Sequence, residues 1–118
     1  MELIKAMDAF GGGLGAHGET CGALVGALAV IGLLDGRGVG GVYPETKMWL
    51  HAREMVQRFR AEIAAGHILC RDIVAVDWTD ASQVKAFRQG PKRESCKKLT
   101  GHTARLVGEI IEKAGTGA

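Results

Sequence analysis

Three cysteines, Cys21, Cys70 and Cys96, are the residues of this chain best placed to do chemistry. Cys21 follows Gly18-Glu19-Thr20, where Thr20 can cap a helix and Glu19 favours the positive end of its dipole, so the sulfur is expected in a first helical turn. That position favours a thiolate. The stretches Cys70-Arg71-Asp72 and Glu94-Ser95-Cys96-Lys97-Lys98 place the other two among charges, where a space-filling cysteine has less reason to be. Lysine or arginine beside a thiol lowers its pKa. Taken singly, any one of the three also reads as a small buried hydrophobe.

Other chemistries are poorly supported. The spacing contains no defensible Ser-His-Asp or paired-carboxylate arrangement, and Asp72, Asp77 and Asp80 read as turn caps. Gly13-Leu14-Gly15-Ala16-His17-Gly18 matches the dinucleotide pattern G-x-G-x-x-G, yet a helical pattern precedes it and no strand follows the next helix. An odd number of cysteines, far apart and without C-x-x-C, does not suit a secreted disulfide scaffold.

The elements that must position the cysteines are helical. Residues 2 to 10 read as a short helix with Leu3, Ile4, Met7 and Phe10 on one face, ended by a flexible loop from Gly11 to Gly18. The central helix runs from about Cys21 to Leu34; Gly22 with Gly26 and Ala23 with Ala27 leave two strips for close backbone approach. After a glycine turn at Asp35 to Gly41 and the lead-in Val42-Tyr43, a third helix is expected from Pro44 to about Ala65. Its buried stripe is Met48, Ala52, Met55, Val56, Phe59 and Ile63, with Gly66 as its stop. Ile68 to Val74 reads as a helical turn delivering Cys70 to the core, and Thr79 or Asp80 caps a short helix from Ala81 to Phe87 or Gln89. The last helix, about Lys92 to Ala114, opens its stripe at Cys96 and continues through Leu99, Thr103, Leu106, Val107, Ile110 and Ile111; Gly115 to Ala118 should fray. The expected fold is a small all-α bundle, one domain over residues 1–118 with one core.

Composition narrows the partners. Fifteen Lys and Arg against thirteen Asp and Glu leave a net charge of +2, interspersed along the chain, which does not argue for nucleic acid. The basic cluster Lys92, Arg93, Lys97 and Lys98 is best read as a solvated helix start. The apolar run from Cys21 to Leu34 is shorter than the roughly twenty residues of a membrane span, and no signal peptide is visible, so a cytoplasmic protein is expected.

Phe10-Gly-Gly-Gly-Leu-Gly followed by Cys21-Gly22-Ala23-Leu24-Val25-Gly26 resembles the C_GCAxxG_C_C family of small proteins grouped as redox-active, which carry a CGAxxG motif. Cys70 and Cys96 fall in the family's order and approximate spacing. Family members usually carry a fourth cysteine on a helix before the glycine loop, and this sequence has none there. A related domain occurs in split-Soret cytochromes, but without C-x-x-C-H covalent haem is not implied. The resemblance implies redox work by Cys21, Cys70 and Cys96, as iron–sulfur ligands.

A cluster usually takes four ligands, and three thiols are present. The fourth could be solvent, substrate, a residue of a second chain or a histidine. His17 ranks first by proximity to Cys21, with His51, His67 and His102 as alternatives, although each alone reads more readily as an ordinary surface or satisfied residue. Three thiolates and a histidine would also suit zinc. Two other readings stand beside metal binding: dithiol–disulfide exchange led by Cys21, and a dimeric helical interaction module packed through Gly22, Ala23 and Gly26. The redox partner protein is not legible.

Overall fold

A computed structural model describes residues 2–37 and 47–116. Among them are six α-helices and no strand: α1 (Glu2–Met7), α2 (Gly22–Asp35), α3 (Lys47–Arg58), α4 (Cys70–Val74), α5 (Ala81–Gln89) and α6 (Pro91–Thr116). The all-α expectation holds. A 3-10 turn at Asp8–Phe10 extends α1, and α3 runs on through one wider π turn at Phe59–Ile63. Ala65 and Gly66 then take φ values of 51° and 93°, which stops the helix where the sequence expects it. The expected start at Pro44, the lead-in Val42-Tyr43 and Gly38 to Gly41 of the glycine turn lie outside the described residues, as do Gly117 and Ala118; α6 itself reaches Thr116.

The main core joins α2, α3 and α6. Leu24, Ala27 and Ile31 recur at three- and four-residue steps along α2 and meet Met55 and Phe59 from α3 with its π turn, and Leu106, Val107 and Ile110 from α6. Thr103 sits buried in the same stripe because its hydroxyl donates to Leu99 O at 2.8 Å, which removes the cost of an unpaired polar group. One core was expected, but a second, smaller cluster exists. Cys70, Val74 and Val76 pack there with Trp78, Val84, Phe87 and Cys96, and Ile73 touches both clusters. Within the segment from Ile68 to Phe87, Ile68 and Ile73 pack on the main core while Val74, Val76, Val84 and Phe87 gather with Cys96 of α6.

Asp80 caps α5, its carboxylate accepting from Ser82 N at 2.9 Å and Gln83 N at 3.4 Å. The cap thereby fixes where Phe87 falls. Leu3 and Ile4 of α1 are exposed rather than buried, since α1 lies over an open space instead of on the core. Among the described residues, no helix is long and apolar enough to cross a membrane.

Candidate redox site

Two stretches far apart in sequence are tied together at the backbone. Cys21 N donates to Ile68 O at 2.8 Å, Cys70 N to Glu19 O at 2.6 Å and Arg71 N to Gly18 O at 3.1 Å, around an antiparallel bridge between Thr20 and Leu69. Arg71 reinforces the tie through Glu19, Nη1 to Oε1 at 3.3 Å. Consequently Cys21 and Cys70 flank one short pairing. This corrects the expected cap: Thr20 is used in the bridge and Cys21 itself is the N-cap of α2, with no side-chain cap bond.

The glycine loop makes that pairing possible. Gly12, Gly13, Leu14, Gly15 and Ala16 all have φ between 58° and 71°, so the expected flexible loop is an ordered left-handed turn, held by bonds such as Gly18 N to Gly12 O and Glu19 N to Gly13 O. A Cβ at Gly13 would stand 2.5 Å from the Cβ of Cys70 and 2.6 Å from Glu19 N. Only glycine lets the turn press against Cys70. Gly18, with φ of 73°, similarly clears Trp78 and the Arg71 side chain.

Cys96 arrives from α6, and all three sulfur-bearing residues line one cavity of about 610 Å³ beneath α1. Its walls are mainly apolar, with Trp78 and Phe87 at ring centroids 5.2 Å apart and edge-to-face. All three cysteines are free thiols, Cys21 and Cys70 buried and Cys96 half-buried. Burial pushes the Cys70 thiol up to about 11, with the nearby Cys21 and Cys96 adding to the rise. Burial likewise raises Cys96, again with Cys21 contributing. Cys21 therefore acts on both other sulfurs, and Cys96 on Cys70.

These shifts oppose the sequence expectation that basic neighbours would lower the Cys70 and Cys96 pKa values. Several of these cations are engaged elsewhere: Arg71 with Glu19, Lys97 with Glu94 at 3.2 Å, and Lys92 on Ala75 O at 2.8 Å. Desolvation and like charge are left to act. The indole N–H of Trp78 stands near enough to Cys70 to offset part of the rise. Even so, it makes no full hydrogen bond and is the buried polar side-chain atom left without a partner among the described residues.

The histidines do not join the cysteines. His17 is exposed, its Nδ1 donating to Gly15 O at 2.8 Å, and it is not among the described residues lining the cavity. His51 is held by Asp35 at 2.8 Å at the far end of α2, while His67 and His102 line a different cavity. Among the described residues, no group of three or more His, Cys, Asp or Glu side chains is placed to hold a metal ion. Besides the thiols, the cavity's polar side chains are Asp8, Thr100 and the Trp78 indole, none of which the sequence suggested as part of a site. Trp78 carried a faint signal, a large aromatic placed in a turn.

A family model described as "Putative redox-active protein (C_GCAxxG_C_C)" matches residues 1–110. The chain belongs to this family. In this C_GCAxxG_C_C protein the three cysteines line one shared cavity. No curated protein and no solved structure matches the chain.

Proposed function

We propose that this C_GCAxxG_C_C protein is an electron carrier in which Cys21, Cys70 and Cys96 hold an iron–sulfur cluster. The supporting observation is that three thiols from separate segments line one apolar cavity, where burial together with neighbouring thiols raises the pKa of Cys70 and Cys96. Thiolates crowded in this way carry an electrostatic cost that a positively charged iron core would offset, so binding would release protons and strengthen as pH rises. Thiolate is also the donor type that such clusters take. When bound, a cluster supplies one-electron transfer at a potential set by its surroundings. The chain's own part is to supply sulfurs, exclude water with apolar walls and offer the unpaired Trp78 N–H as a donor beside a ligand sulfur. Asp8, Thr100, solvent or an outside ligand would complete the set. His17 as that ligand would require rearrangement of the glycine turn, because it lies outside the cavity lining.

Dithiol–disulfide exchange is the second reading, favoured by the backbone pairing that holds Cys21 and Cys70 diagonally across one short bridge, both lining the same cavity. Iron, acid-labile sulfide and zinc content, with a visible spectrum, should be measured on protein purified without oxygen and on the Cys21→Ser variant. Iron with sulfide, lost in the variant, is the expected result. A folded, metal-free protein that loses two thiols reversibly on oxidation would transfer the conclusion to the disulfide reading.

A further inference from the structure

Within the proposed redox site, the cavity has a shape and a polarity of its own. Its volume of about 610 Å³ exceeds what three sulfurs occupy and falls within the range of small-molecule sites. One wall is the glycine face of α2, covered at one end and bare at the other. At Gly22 a Cβ would stand 2.6 Å from Phe10 O, so the 3-10 turn closes down on the start of α2. One helical turn further on, a Cβ at Gly26 would meet nothing within 4 Å, leaving the wall bare. Met7 and Val30 contribute aliphatic surface, while Trp78 and Phe87 supply aromatic surface.

Charge decides the class of molecule. Among the described lining residues there is no Lys, Arg or His, and the single ionisable group besides the thiols is the carboxylate of Asp8. Nucleotide carriers bring phosphates that such walls cannot neutralise. We propose that the cavity binds a flat, uncharged, apolar redox molecule of the quinone class, lying on the bare α2 wall at Gly26, beside the three cysteines. This rests on the cysteines being a redox centre. In the dithiol form of that centre, two S–H bonds break and one S–S bond forms; the two electrons and two protons leave on the quinone as its hydroquinone.

Gly26 provides the test. A leucine there enters open space inside the cavity and improves helix propensity, so Gly26→Leu should fold while filling the site. Gly108→Leu on α6 is the matched control, since a Cβ there also meets nothing within 4 Å and Gly108 does not line the cavity. Duroquinone is the probe because its fully substituted ring cannot add a thiol. Equilibrium dialysis, counting quinone plus hydroquinone, should show saturable binding that is weakened about tenfold or more in Gly26→Leu and kept in Gly108→Leu. Binding that does not saturate, or that Gly26→Leu leaves unchanged, overturns the proposal. Iron, sulfide and thiol content measured on the same samples report separately on the redox centre, so failure of the binding site and failure of the centre are distinguishable.

Discussion

Cys70 loses its proton reluctantly because it is desolvated and because neighbouring thiols become negative as they ionise. Its pKa of about 11 against an ordinary value of 9.0 means that between those values the unfolded chain has released a proton that the folded chain keeps. The unfolded state then binds fewer protons, so this contribution to stability is complete below about pH 9 and lost as pH rises towards 11. Urea unfolding across that window should show the protein losing more stability than its Cys70→Ala variant. Alkylation of Cys70 followed by mass spectrometry should give a reactivity pKa well above that of a free thiol, and Cys21→Ser should bring it down. At this scale the sequence already identified the three thiols, but not the sign of their shifts. The basic residues adjacent to Cys70 and Cys96 in sequence pair with Glu19 and Glu94, whereas what acts on each sulfur arrives from elsewhere in the chain.

Among the elements, the glycine turn and the helix it precedes respond oppositely to the same substitution. Gly13→Ala forces a Cβ into Cys70 and Glu19 at a φ of 71°, and should cost roughly 2 kcal/mol or more in urea unfolding. Gly26→Ala meets open space inside a regular helix and should gain up to about 1 kcal/mol. Asp80→Ala removes the cap of α5 and should cost about 1 kcal/mol, with Trp78 fluorescence reporting any loosening of its edge contact with Phe87. The helices were legible because apolar residues recur at three- and four-residue steps over several turns, as from Cys96 to Ile111. The bridge between Thr20 and Leu69 was not, since a single residue pair has no period. Nor was the left-handed turn, where Leu14 and Ala16 take a conformation that their side chains disfavour.

Across the whole molecule, the site lies at a seam. Cys21 belongs to the three-helix core and Cys70 to the smaller cluster, while α6 runs through both with Cys96 at its beginning. The radius of gyration, 15.4 Å, exceeds the about 13.5 Å typical of a compact domain of this length, consistent with a second cluster set beside the first. Amide hydrogen exchange should therefore release α4 and α5 before the buried stretches of α2, α3 and α6. Occupying the cysteines, by cluster or disulfide, should slow α4 and α5 the most, because it fastens the lesser cluster to the greater. This two-part core was hidden from a sequence reading by length alone, which allows a single core but does not require one.

The turn from Gly12 to Ala16 winds in the mirror-image sense to every helix around it. Glycine is achiral, so the winding is cheap at three of the five positions and opposed at Leu14 and Ala16. Handedness can therefore be tested directly. At Gly15 an L-side-chain Cβ would lie 3.8 Å from His17 Nδ1, an ordinary contact, so the φ of 61° is what opposes an L residue there. L-alanine at that position should cost about 1 kcal/mol. D-alanine, introduced by chemical ligation of the first twenty residues at Cys21, should instead add about 0.5 kcal/mol by restricting the unfolded chain. A protein otherwise built from one enantiomer thus keeps, in the turn that presses on Cys70, a backbone suited to the other.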